Sequence, residues 1–91
     1  MPLPDIQTII DLRPAGEQKL LATSLPVIHL SMDDIEEGRH TLTPAGGPYL
    51  VICERGAHAG LATRYLRADG LQAEAWKGTP AELQQALEER E

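Results

Sequence analysis

The sequence predicts an α/β domain built on a parallel sheet. Three observations favour this fold class: short apolar runs that end in charged residues, helix-start motifs between those runs, and glycine or proline at the junctions. Strands that alternate with helices form parallel sheets whose faces are both covered. We therefore expect a central parallel sheet of four to five strands with helices on both faces. A length of 91 residues predicts a single domain over residues 1–91.

The N-terminal third predicts two strands with a helix between them. The apolar run Thr8–Leu12 ends in charge, as a buried parallel strand does. Pro14 suits the first turn of a helix, which we expect over Ala15–Leu21. Val27–Leu30 is the second expected strand.

A short helix and a loop are expected next. Ser31 is a suitable N-cap, Asp34 follows three residues later, and Gly38 would end the helix. The segment Arg39–Pro48 holds two glycines and two prolines, which predicts a loop.

The second half of the chain predicts two more strands and a longer helix. Tyr49–Cys53 is the clearest strand, and Gln72–Trp76 is a weaker one. Between them we expect a helix over Ala59–Asp69 that ends at Gly70. The apolar residues expected on one side of this helix are Leu61, Ala62, Tyr65, Leu66 and Ala68.

The last helix has a strong start motif. Thr79 and Glu82 form a potential capping box, with Pro80 at the first helical position. The sequence contains no Phe, so the core must be mainly aliphatic, and Trp76 is expected to pack in it.

Composition excludes several classes of protein. A formal net charge of −6 argues against binding of nucleic acid or anionic membranes, since both favour clustered Lys and Arg. One cysteine cannot form an internal disulfide, and the sequence shows neither a signal peptide nor a membrane span. We therefore expect a cytoplasmic protein.

The most informative residue is that cysteine, Cys53. It stands at the exit of a buried strand, where a parallel sheet places its site, and a short loop separates it from the following helix. Backbone N–H groups in the loop and the positive end of the helix would stabilise a thiolate, with Arg55 and His58 as nearby cations. Gly56 lets the loop turn sharply. The alternative is a thiol that merely fills the core.

At these residues the chain resembles the rhodanese-like (sulfurtransferase) domains. The family loop reads Cys-x-x-Gly-x-Arg-Ser, and residues 53–59, Cys-Glu-Arg-Gly-Ala-His-Ala, match it at Cys53 and Gly56. The family's Asp-x-Arg motif followed by Glu is similar to Asp11-Leu12-Arg13 with Glu17. The family's ending resembles residues 66–78, which finish in Lys-Gly. The chain departs from the family where His58 and Ala59 replace Arg and a hydroxyl residue, and it lacks the His-Ile-Pro-Gly-Ala segment.

Two other thiol chemistries do not fit the loop. A Cys-x5-Arg phosphatase needs an Arg fork for phosphate, but Ala59 lies six residues after Cys53. Thioredoxin-type redox chemistry needs Cys-x-x-Cys, and Gly56 occupies the second cysteine position.

The resemblance implies a sulfurtransferase that passes sulfane sulfur from a donor such as thiosulfate, through a Cys53 persulfide, to cyanide or a thiol. The implied partners are a small anionic donor, a thiol acceptor and a sulfur-relay protein. We expect no metal site and no cofactor, because His29, His40 and His58 have no ligand spacing. Asp11 and Arg13 are expected to support the site as an ion pair or hydrogen-bond anchor. The residues expected to bind substrate are Glu54, Arg55, Gly56, Ala57, His58 and Ala59.

Two further hypotheses stay open on the sequence alone. The domain could be a relay or interaction module that turns over free donors poorly. It could also be a structural domain with a buried thiol.

Overall fold

The computed structural model of the chain describes residues 5–13, 22–53 and 57–90, and it is organised around one sheet. The strands are β1 (Thr8–Asp11), β2 (Val27–His29), β3 (Tyr49–Ile52) and β4 (Ala73–Ala75). The helices are α1 (Met32–Glu36), α2 (Ala57–Ala68) and α3 (Pro80–Arg90), and a short 3-10 helix spans Pro44–Gly46. The helix expected over Ala15–Leu21 lies outside the described residues.

All four strands are parallel, in the order β2-β1-β3-β4. Ile10 pairs with Ile28 on one side and with Val51 on the other, and Val51 in turn pairs with Ala75. β1 and β3 are therefore the inner strands, and all of their residues are buried, which accounts for their continuous apolar character. The predicted parallel α/β architecture is confirmed.

One face of the sheet is covered by α1 and α2. Side chains alternate along a strand, so Ile10 and Val51 point to this face. They pack against Ile35 of α1 and against Leu66 of α2. Cys53 belongs to this same layer.

The other face is covered by α3. Ile9 and Leu50 point to it and pack with Leu83 and Leu87, which are wholly buried. Trp76 is 4% exposed in this layer, and its indole Nε1–H donates a hydrogen bond of 2.9 Å to the Thr79 carbonyl oxygen. The expectation that Trp76 packs in the core is confirmed, as is the presence of helices on both faces.

Both expected capping boxes form. The Ser31 hydroxyl accepts from the Asp34 N–H at 3.1 Å, and the Asp34 carboxylate accepts from the Ser31 N–H. At α3, the Thr79 hydroxyl accepts from the Glu82 N–H and the Glu82 carboxylate accepts from the Thr79 N–H. These contacts lower the pKa of the Asp34 and Glu82 carboxyls. The larger cause is the hydrogen bond from the backbone N–H of the cap residue, and the second is the hydrogen bond with its hydroxyl.

The buried side of α2 differs from the one predicted. The predicted set joined two neighbouring stripes of the helix, and only the stripe with Ala62 and Leu66 faces the sheet. Leu61 and Tyr65 are 39% and 38% exposed, and Ala68 is exposed as well. The buried stripe consists of Ala59, Ala62, Thr63 and Leu66, at the spacing i, i+3, i+4, i+7.

Thr63 was overlooked because it is polar. Its hydroxyl donates to the Ala59 carbonyl oxygen at 2.8 Å, and this hydrogen bond allows it to be buried. The start of the helix was also misplaced, since α2 begins at Ala57 instead of Ala59. Alanine suits both the loop and the first helical turn, so the pattern did not define this boundary.

No helix within residues 5–13, 22–53 and 57–90 combines the length and the apolar character that crossing a bilayer requires.

Candidate active site around Cys53

Cys53 directly follows β3 at the carboxyl edge of the sheet. Both neighbouring strands continue to pair there: the Leu12 N–H donates to the Ile52 carbonyl, and the Trp76 N–H donates to the Val51 carbonyl, each at 2.9 Å. The backbone leading to the thiol is thus fixed from both sides. Cys53 is 7% exposed. It lies where ligands bind in parallel α/β sheets.

The thiol sulfur accepts a hydrogen bond from the first turn of α2. The Ala59 N–H donates to Cys53 Sγ at 3.3 Å. N–H groups in the first turn have no acceptor within their own helix, so this donor is available to an external group. α2 is twelve residues long and has no acidic residue in its first turn. Its positive end therefore favours negative charge on the sulfur.

The residues expected to bind substrate fall into two groups. Glu54, Arg55 and Gly56 lie outside the described residues. Ala57 and His58 form the start of α2 and are exposed, whereas Ala59 is fully buried beside the sulfur. The structure thus brings Cys53 and Ala59 together and leaves His58 at the surface of the same turn.

Asp11 and Arg13 form the expected ion pair. The guanidinium donates from Nε to Oδ1 at 3.0 Å and from Nη2 to Oδ2 at 2.8 Å. The Arg13 backbone N–H also donates to Oδ1. Both side chains are buried, and His29 Nδ1 lies 3.9 Å from Asp11 Oδ2. In the part of the chain that the structure describes, no three His, Cys, Asp or Glu side chains form a metal-binding cluster.

The ion pair lies on the other face of the sheet from the thiol. Asp11 pairs with Ile52, so it reaches the same edge as Cys53. Asp11 follows Ile10, which points to the α2 layer, and alternation turns the carboxylate to the α3 layer. The pair therefore fixes Arg13 to the end of β1.

Among solved structures, the chain is similar to the crystal structure of a rhodanese homolog from the extremely thermophilic bacterium Thermus thermophilus. The TM-score is 0.65, with 29% sequence identity over 80% of this chain and 78% of that chain. The chain has a rhodanese-like fold. No family model and no curated protein matches its sequence.

Thr63 lies next to the candidate site, and the sequence did not indicate it. Its hydroxyl bond to the Ala59 carbonyl ties the first turn of α2 to the second. Ala59 in turn donates to the sulfur. Thr63 therefore contacts the residue whose N–H donates to the sulfur, and its spacing of four residues from Ala59 was the available indication.

A cleft of about 660 Å³ lies at the opposite edge of the sheet. It is located at the amino ends of β3 and β4, with Tyr49 and Ala73 among its lining residues. Arg67 also lines it, and its Nε–H donates to the Ala73 carbonyl at 2.9 Å. Because Cys53 follows the carboxyl end of β3, the cleft does not belong to the thiol site.

Proposed function

We propose that this rhodanese-like domain is a sulfurtransferase that carries sulfane sulfur on Cys53. The observation that supports this most directly is the hydrogen bond from the Ala59 N–H to Cys53 Sγ at the start of α2. A thiol that only fills the core needs no donor from a helix terminus. A thiolate or a persulfide does, because each carries negative charge at that position.

The first step is attack on a small anionic donor. The Cys53 thiolate attacks the outer sulfur of thiosulfate and forms a new S–S bond. The original S–S bond of thiosulfate breaks, and its electron pair leaves with sulfite. The products are a Cys53 persulfide anion and sulfite, so atoms and charge balance without an external oxidant or reductant.

The second step returns the enzyme to its initial state. A thiolate or cyanide attacks the terminal sulfur of the persulfide, and Cys53 leaves as the thiolate. The acceptor gains one sulfur atom, giving a new persulfide or thiocyanate. Hydrogen-bond donors that stabilise negative charge on the Cys53 sulfur favour both steps, because Cys53 is the nucleophile in the first step and the leaving group in the second.

We assign the binding of the anionic sulfur donor to the segment between Cys53 and α2. Arg55 is the fixed cation of this segment and would hold an anionic donor at the mouth of the site. The N–H groups from Glu54 to Ala59 would surround the persulfide charge. His58 is exposed on the first turn of α2 and would lie at the edge of the same mouth.

The test is the covalent state of the protein after incubation with thiosulfate. Intact-protein mass spectrometry should show a gain of one sulfur atom in the wild type and none in Cys53→Ser. Addition of cyanide should remove the adduct and release an equal amount of thiocyanate. If neither thiosulfate nor a low-molecular-weight persulfide adds sulfur to the folded wild type, the proposal is wrong.

A further inference from the structure

The outer side of α2 carries an unusual pair of exposed apolar side chains. Leu61 and Tyr65 are the two large hydrophobic residues that are exposed among those the structure describes. They are four positions apart and therefore lie side by side on the helix surface. Single exposed apolar residues are common on protein surfaces, but here both occur on one helix and form a continuous strip.

The same helix is basic in an acidic protein. The formal net charge of the chain is −6, yet α2 contains Arg64 and Arg67 and no Asp or Glu. Both arginines are exposed, and within the described ranges neither forms an ion pair. The nearest acidic residue along the chain is Asp69, which follows the helix and lies 3.4 Å from His40 Nε2. We call Leu61, Arg64 and Tyr65 the α2 ridge.

The α2 ridge leads to the thiol site. The first turn of α2 donates to Cys53 Sγ through Ala59, and His58 is exposed on that turn. At a rise of about 1.5 Å per residue, Tyr65 lies roughly 9 Å along the helix from Ala59. A chain segment of a few residues bound on the ridge would therefore extend to the sulfur.

We propose that the α2 ridge docks an acidic protein segment that presents the acceptor thiol to Cys53, an inference that rests on the proposed sulfur transfer. Apolar contact with Leu61 and Tyr65 holds the segment, and its carboxylates face Arg64. Charge selects this occupant, because Arg64 lies on a helix that has two arginines and no acidic residue, and such a surface attracts an acidic partner and repels a basic one.

The transfer that follows is balanced. The thiolate of the docked segment attacks the terminal sulfur of the Cys53 persulfide. The S–S bond to Cys53 breaks, the electron pair returns to Cys53 Sγ, and the segment leaves with the persulfide. Docking raises the local concentration of the acceptor thiol, so it increases the rate with the segment and not with a small acceptor.

The experiment uses two synthetic peptides of about ten residues, a length that spans the ridge. The acidic peptide contains Asp, Glu, Leu and one Cys, and the neutral peptide replaces its acids by Asn and Gln. The Cys53 persulfide is prepared with thiosulfate, and its decay is followed with each peptide and with cyanide. We expect the acidic peptide to react about tenfold faster than the neutral one at low salt, with the difference shrinking as salt rises.

Variants assign the effect to the ridge. Arg64→Gln and Leu61→Gln should each slow transfer to the acidic peptide by about three- to tenfold and leave transfer to cyanide unchanged. Gln85→Glu is the matched control, because it changes the net charge as Arg64→Gln does but lies exposed on α3, on the other face of the sheet. It should leave both rates unchanged.

The outcomes separate the docking proposal from the proposed function. If cyanide removes the sulfur but the two peptides react equally, or if Arg64→Gln and Gln85→Glu behave alike, the docking proposal is overturned.

If no persulfide forms, the proposed function fails instead. Docking is then decided by fluorescence anisotropy of a labelled, cysteine-free acidic peptide, for which binding lost in Arg64→Gln supports the ridge. Self-association through α2 in sedimentation, abolished by Leu61→Gln, would identify a second copy as the occupant and overturn the proposal.

Discussion

Asp11 holds Arg13 through three guanidinium–carboxylate hydrogen bonds and one backbone hydrogen bond, and the two side chains are 0% and 5% exposed. The pair closes the end of β1 beside Ile52, the residue that precedes Cys53. Its geometry is bidentate, the arrangement in which arginine and a carboxylate interact most strongly.

Arg13→Ala should destabilise the domain by about 3–5 kcal/mol, because it leaves a buried carboxylate without its cation. The free energy of unfolding is measured by urea titration at neutral pH. Arg39→Ala is the control, since Arg39 pairs with Asp34 and Glu37 at the surface and its loss should cost much less. Equal losses for the two variants would mean that burial of the pair contributes nothing.

Ala59→Pro should slow the reaction of native Cys53 with iodoacetamide at neutral pH by about tenfold or more. The substitution removes the N–H that donates to Sγ, and a hydrogen bond to a charged group contributes roughly 1.5–3 kcal/mol. Proline is tolerated in a first helical turn, so the helix should remain, as circular dichroism would show.

The control for this variant is the unfolded chain. In urea the helix is absent, and the two proteins should react at the same rate. An unchanged rate for the folded variant would show that the Ala59 donor does not support the thiolate.

Glu82→Gln should destabilise the domain at neutral pH and have a smaller effect in acid. The Thr79 N–H, and next its hydroxyl, lower the pKa of the Glu82 carboxyl below its ordinary value of 4.5. A carboxyl with a lowered pKa in the folded state stabilises it above the unfolded pKa, and that contribution is lost as the pH falls through the folded pKa.

Urea titrations of the wild type and Glu82→Gln at about pH 7 and about pH 3 test this linkage. The difference in unfolding free energy between the two proteins should shrink at the lower pH. Glu89→Gln, on the exposed side of the same helix, is the control because that residue takes no part in the cap. A difference that grows in acid would have the wrong sign.

Leu66→Ala and Leu61→Ala should differ sharply, although both remove a leucine side chain from α2. Leu66 is wholly buried and its truncation leaves a cavity, which should cost about 2–5 kcal/mol. Leu61 is 39% exposed, so its truncation should change stability by about 0.5 kcal/mol or less. Similar melting temperatures for the two variants would contradict the observed orientation of the helix.

The sequence was sufficient for the elements whose patterns have one physical reading. Capping boxes need a hydroxyl and a carboxylate at fixed spacing, so Ser31 and Thr79 located two helix starts. Buried parallel strands need continuous apolar residues, so β1 and β3 were found as well. The face of α2 was predicted incorrectly because leucine and tyrosine are apolar whether they lie inside or outside.

The site could be predicted only in part. The position of Cys53 could be predicted because a buried strand that ends at a cysteine before a helix is a recognisable arrangement. Ala59, whose N–H donates to the sulfur, was predicted only as one of six residues expected to bind substrate. Every residue except proline has a backbone N–H, so the pattern of side chains does not indicate which one donates. Thr63 acts through a hydrogen bond within the helix, and its polar character concealed its burial.

The strand β3, which leads to Cys53, is held in place by strands that are distant from it in the sequence. Val51 is paired with Ile10, which is 41 residues earlier in the chain, and with Ala75, which is 24 residues later. Neither contact is local, so the edge that carries Cys53 is assembled only when distant segments have come together. During synthesis or partial unfolding the thiol would exist without its donor and its helix. Under the proposed function, the reactivity of Cys53 toward sulfur donors would therefore measure how much of the chain has reached the native state.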